Sequence, residues 1–175
     1  MRKFLIAAAA GAGAVLTAAG TVSAGADAAP REGLQAAKAA TARYHSLEQA
    51  RLDGYTTEGE PCVSAPPPPG LSGAMGIHAV NPALIGDGVI DPLRPEILLY
   101  LPSGDGELEL VGVEYFEVAA VTGGVAPTVF GRNLDGPMPG HNPAMPEHYD
   151  LHVWLWADNP AGMFAPFNPA LSCPA

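Results

Sequence analysis

Basic residues are scarce: eight Lys and Arg stand against eighteen Asp and Glu in 175 residues, a formal charge of −10. Nucleic acid is excluded as a partner on that ground, because neutralising phosphates needs a basic face and the few cations are scattered. Anionic membrane surfaces are disfavoured by the same sign, whereas metal ions and cationic ligands suit it. Cysteine is limited to Cys62 and Cys173, which lack any Cys-x-x-Cys spacing. After the N-terminal segment no apolar run approaches the roughly 18 to 20 residues that span a bilayer. No P-loop, dinucleotide fingerprint, His-Glu-x-x-His, EF-hand loop or Gly-x-Ser-x-Gly elbow occurs. Ser46, Ser64, Ser72, Ser103 and Ser172 lie in a helical segment or in turn-like contexts, so no serine nucleophile stands out.

What is present begins with an export signal. Arg2 and Lys3 precede an apolar run from Phe4 to about Ala19, and small-residue cleavage sites follow at Val22-Ser23-Ala24 and Ala26-Asp27-Ala28. The expected organisation is a leader over 1–28, cleaved after Ala24 or Ala28, and one domain over 29–175. Removal of Arg2 and Lys3 makes the mature chain more acidic still. About 150 residues remain, enough for one real core. A secreted or periplasmic setting, on the exterior of the cell envelope, makes a Cys62–Cys173 disulfide the simple pairing. Closing a loop of about 110 residues, it stabilises by very roughly 4 to 5 kcal/mol on a chain-entropy argument.

Leu34, Ala37, Tyr44, Leu47 and Arg51 recur at helical spacing, which predicts a helix over about 31–53 with Pro30 at its entry and Gly54 just past its end. Pro66 to Pro69 predict an extended strap. Strands are expected over 73–80, 96–101, 107–121 and 147–156, with a hairpin turn at Pro102 to Gly106. The Gly- and Pro-rich stretch 123–146 is expected to be a long loop without regular structure, suited to a lid or pocket wall. Asn-Pro-Ala occurs at Asn81, Asn142, Asn159 and Asn168. Its irregular spacing excludes a repeat array, and Asn before Pro marks turn initiation.

The last strand candidate carries the strongest functional signal. Alternation places Tyr149, Leu151, Val153 and Leu155 on one face and His148, Asp150, His152, Trp154 and Trp156 on the other. Both tryptophans and two of the five histidines are in this one segment. In the 107–121 strand the same rule puts Leu108, Leu110, Gly112, Glu114, Phe116 and Val118 on an apolar face. Glu107, Glu109, Val111, Val113, Tyr115 and Glu117 fall on the other. A carboxylate at Glu114 is then costly unless paired or metal-bound. A bulge near Gly112 is the alternative and turns Glu114 to water.

These residues compose three candidate chemistries. The first is a metal site drawn from His78, Glu114, His148 and His152. The two histidines of the last strand are about 13 Å apart if extended, so only one of them fits a given ion. His141, Met138 and Met145 add soft donors that suit copper, as imidazole and carboxylate suit zinc. The second is acid–base catalysis, with Glu114 and His148 as candidates in a hydrolase or isomerase. The third is a small-molecule pocket walled by Trp154, Trp156 and His141, with Tyr149, Phe164 and Phe167 nearby. A purely structural or interaction role, with the tryptophans closing a sheet core, is the plain counterpart.

Met75-Gly76-Ile77-His78-Ala79-Val80-Asn81-Pro82, the stretch Asp91 to Tyr100, Leu110-Val111-Gly112-Val113-Glu114-Tyr115 and His148-Tyr149-Asp150-Leu151-His152-Val153-Trp154 resemble a family of exported bacterial proteins of unknown function. The resemblance covers about residues 40–174 and implies no activity. Leu110 to Tyr115 and the two-histidine strand are also similar to plant oil-body-associated proteins.

The expected fold is α+β, one N-terminal helix packed on an antiparallel sheet or half-barrel of four to six strands, with long Pro/Gly loops and one disulfide. The expected function is an exported small-ligand- or metal-binding domain, its site centred on His78, Glu114, His148 and His152 under a 136–146 roof, with no membrane insertion once the leader is gone.

Overall fold

The computed structural model describes residues 28–66 and 70–174, so the leader and three of the four consecutive prolines lie outside the described residues. The chain is α+β: helical segments cover one face of an antiparallel half-barrel, and Cys62 is disulfide-bonded to Cys173. Among the described residues no helix is long and apolar enough to cross a membrane.

The helix expected as one piece is two. Helix α1, Ala28–Thr41, runs into a 3₁₀ turn at Ala42–His45, and α2 follows at Leu47–Leu52. Two side chains account for the break. The Thr41 hydroxyl donates to the Ala37 carbonyl at 2.8 Å, a back-bond that bends helices. Ser46 takes an extended conformation and accepts the Gln49 amide, capping a new helix. The Tyr44 carbonyl in the turn is taken by the Tyr100 hydroxyl from the sheet, at 2.6 Å.

The main sheet has six strands in the order β1-β2-β3-β4-β8-β7, all neighbours antiparallel. These are β1 Val63–Ser64, β2 Ala74–Val80, β3 Ile97–Pro102, β4 Leu108–Val118, β7 Asp135–Met138 and β8 His148–Val153, while β5 Thr128–Val129 and β6 Arg132–Asn133 pair separately. The 123–146 stretch is thus not the irregular loop expected, for three short strands lie within it. The N-terminal part of β2 needs a glycine at Gly76, which has φ +96° and whose Cβ would fall 2.4 Å from the Tyr100 carbonyl oxygen.

Both faces of the sheet are covered, and each has its own apolar cluster. The helix side holds Leu98, Tyr100, Leu110, Val113, Tyr115, Tyr149, Leu151 and Val153 with Ala37, Tyr44, Ala50 and Tyr55. The other side holds Ile97, Leu99, Val111, Phe116 and Trp154, closed over by Ile85, Met145 and Leu171 from loops and the C-terminal tail. The tail is anchored by the disulfide and by backbone pairing of Asn168 with Ala74.

A β-bulge joins the two registers. Tyr100 pairs with Leu110 but Leu99 with Gly112, which leaves Val111 extra on β4. Leu108 and Leu110 therefore share the helix side with Val113 and Tyr115, and Glu114, Phe116 and Val118 point the opposite way. The expectation that such a bulge delivers Glu114 to water is corrected: Glu114 is 4% exposed, because this face is covered as well. Glu117, expected among the outer residues, is also buried.

The four Asn-Pro-Ala segments are turns built alike. In each, the Asn Oδ1 accepts the amide two residues on, that of Ala83, Ala144, Ala161 or Ala170.

Candidate metal centre

The covered, loop-side face brings three strands to one point. His78 lies on β2, Glu114 on β4 and His152 on β8, where Glu114 and His152 are direct cross-strand partners. His78 faces Leu99 on the intervening β3, and Leu99 faces the side-chain-free Gly112. The curl of the half-barrel lets the His78 imidazole reach over to the carboxylate. One donor atom from each of His78, Glu114 and His152 lies within 4.8 Å of the others. Glu114 Oε2 is 3.2 Å from His78 Nε2 and 3.6 Å from His152 Nε2. The rings of the two histidines stand edge to face, 6.0 Å between centroids.

These approaches are close, yet the pairs do not hydrogen-bond. Glu114 Oε2 and His152 Nε2 are buried and neither has a hydrogen-bond partner. Leaving such atoms unpaired in a packed interior costs free energy unless charge or an ion compensates. Burial pushes the Glu114 carboxyl up, but the nearby His152 and His78 outweigh it and hold the carboxyl below its ordinary value. For His78 burial works against the charged ring, and the adjacent Glu114 carboxylate wins and raises it.

His148, expected in the same site, is placed elsewhere on the face. Its Nδ1 lies 3.0 Å from the Pro146 carbonyl oxygen and its Nε2 3.5 Å from Asp150 Oδ2. The ring stacks on Phe116 at 4.6 Å and meets the edge of His141 at 5.1 Å. Burial lowers its basicity, while Asp150 and the Pro146 carbonyl raise it and prevail. The four-residue set thus divides: His78, Glu114 and His152 converge, and His148 forms a separate group with Asp150 and His141. The 136–146 segment closes over that second group, with Met145 reaching the apolar cluster beside it.

The two tryptophans do not share a wall. β8 ends at Val153, and the chain turns so that Trp154 packs with Ile97, Leu99, Val111 and Phe116 and donates its indole N–H to the Ala165 carbonyl. Trp156 lies across the sheet instead, against His45 at 4.4 Å and beneath Lys38 Nζ at 4.8 Å. Tyr149 and Phe164 belong to the helix-side cluster. Cavities of about 430 and 470 Å³ open on the helix side and around α2, and none of His78, Glu114 and His152 lines either.

Two buried carboxyls escape the sequence pattern. Glu96, just ahead of β3, accepts the Phe116 amide at 3.0 Å. Glu117 accepts the amides of Gly88 and Val118. Desolvation raises the Glu96 carboxyl to about 8; the Phe116 amide opposes this, and the charges of Asp87 and Glu117 add to it. The available signal was strand parity for Glu117 and adjacency to an apolar run for Glu96, and neither reveals that both faces are covered.

The chain matches no family model, no curated protein and no solved structure.

Proposed function

We propose that this protein is an exported metal-binding domain whose inner site takes one divalent transition-metal ion, zinc in the first place, between His78, Glu114 and His152. The observation that carries the reading is the convergence of three donor atoms from three strands, with Glu114 Oε2 and His152 Nε2 buried and without a hydrogen-bond partner. Two donors on one tetrahedral zinc, each about 2.0–2.1 Å from it, are roughly 3.3 Å apart. The 3.2 and 3.6 Å separations fit that spacing. Donors this close leave room for an ion rather than an organic molecule. Two imidazoles and one carboxylate suit zinc, and three protein ligands leave a fourth position for water or cargo.

Export belongs to the same proposal. It is supported by the basic-then-apolar start of the sequence and by the Cys62–Cys173 bridge, which fits an oxidising compartment. Acid–base chemistry by Glu114 with His148 has less support, since Glu114 faces His78 and His152, while His148 engages Asp150.

Elemental mass spectrometry of tag-free protein, purified without chelator, tests the reading. Near-stoichiometric zinc is expected, lost in His78→Ala and His152→Ala while circular dichroism stays native. His78 is the safer variant, because its side chain is already 15% exposed. A folded wild-type protein that retains no metal after incubation with excess zinc overturns the proposal.

A further inference from the structure

His148 is left unexplained by the inner site. It is 1% exposed, and its Nε2 is buried without a hydrogen-bond partner. Nδ1 faces the Pro146 carbonyl at 3.0 Å, so in the neutral ring Nδ1 carries the proton and Nε2, 3.5 Å from Asp150 Oδ2, is the atom that can bind. An outer hydrogen bond of that kind is what orients a metal-ligating imidazole.

Soft donors lie on the segments that flank this ring. His141 meets it edge-on at 5.1 Å. Met145 Sδ accepts the His141 amide at 3.4 Å, so the thioether and that histidine belong to one tight loop. The loop requires Gly140, where a Cβ would fall 1.9 Å from the Met145 carbonyl oxygen. Met138 on β7 is the direct cross-strand partner of His148, which places both on one face of the pair. Asp150 Oδ2, 3.5 Å from Nε2, supplies negative charge beside them.

We propose that His148, His141, Met145 and Met138 form a second site, selective for a soft monovalent cation of the Cu(I) type. Thioether sulfur and imidazole nitrogen favour Cu(I) over the harder divalent ions, whereas the inner site's carboxylate between two imidazoles does not. His148 and His152 are four residues apart on β8, about 13 Å along the strand, so the two ions occupy separate sites rather than one dinuclear centre. His141 is exposed and His148 buried, so the set runs from the surface inward.

The test uses the full chain with its disulfide intact and silver(I), a redox-inert probe for Cu(I), in chloride-free buffer. Bound silver is counted after desalting, and the methionine methyl resonances are followed by NMR. Wild-type protein is expected to retain silver and to shift the methyl signals of Met138 and Met145. The double variant His141→Ala, Met145→Leu keeps His148 and its stack on Phe116 in place. It is expected to lose affinity about tenfold or more, the scale on which even an outer partner acts. His78→Ala is expected to retain silver fully, whatever its zinc content, which separates this inference from the inner-site reading. No silver retained by folded protein, retention unchanged in the double variant, or equal loss in His78→Ala each overturns it.

Discussion

Glu114 and Glu96 are both buried glutamates, placed directly on or beside adjacent strands of one sheet, and their surroundings drive them to opposite charge states. Glu114 sits between two imidazoles and is held below its ordinary value of 4.5 against the pull of burial. Glu96 has one backbone amide and two acidic neighbours, and burial lifts it to about 8. The difference teaches that burial alone does not make a site. A carboxyl kept ionised among imidazoles is ready to receive a cation, whereas a carboxyl kept neutral by desolvation serves as a hydrogen-bonding wedge. Their pH windows differ accordingly. The stability tied to Glu114 is present above 4.5 and lost as pH falls through its lower folded value. That tied to Glu96 is full below 4.5 and lost as pH rises through about 8.

Removing the ionised partner breaks the contrast most severely. Glu114→Ala removes the buried carboxylate that faces His78 and His152 and is expected to cost roughly 3 to 5 kcal/mol in urea unfolding at neutral pH, metal-free. Glu114→Leu, which fills the space, is expected to cost less. A smaller effect follows from neutralising the other member. Wild-type stability is expected to decline between pH 4.5 and 8 by an amount on the order of a few kcal/mol traceable to Glu96, and Glu96→Gln flattens that decline. An unchanged slope in Glu96→Gln would assign the decline to other groups, His78 and His148 first, since their raised values also make stability fall with rising pH. The smallest effect sharpens the boundary between the two regions. Phe116 gives its amide to Glu96 and its ring to His148. Phe116→Leu keeps the amide and removes the stack, at an expected cost of about 1 kcal/mol. The His148 titration followed by NMR should move while the Glu96 slope stays.

The α+β architecture and four main strands were legible in the sequence because alternation and turn chemistry act locally, and the disulfide because two cysteines allow one pairing. The meeting of His78, Glu114 and His152 was legible only as parity. His152 and Glu114 fall on covered positions of their strands, but reach across β3 depends on sheet curvature, which no local pattern encodes. The single long helix was misread because helical spacing was followed past the local break at Thr41 and Ser46, where the Tyr100 hydroxyl also takes the Tyr44 carbonyl. A bulge near Gly112 was the alternative reading, and the structure has it at Val111 without its expected consequence, because parity says which way a side chain points and nothing about what lies there. Trp156 was placed with Trp154 by extending β8 three residues past its actual end at Val153.

The Cys62–Cys173 bond, between residues 111 apart, encircles every strand among the described residues. Residues 62 to 173 are one covalent ring, and α1, the 3₁₀ turn and α2 form an arm outside it. For a protease the two parts are different objects. A single cut in any loop of the ring liberates no fragment, and all six strands of the main sheet stay tethered at one another's local concentration. A single cut between α2 and Cys62 frees the arm and uncovers the tyrosine-rich side of the sheet. Durability in a protease-rich setting is therefore distributed unequally, with both candidate ion sites on the protected part.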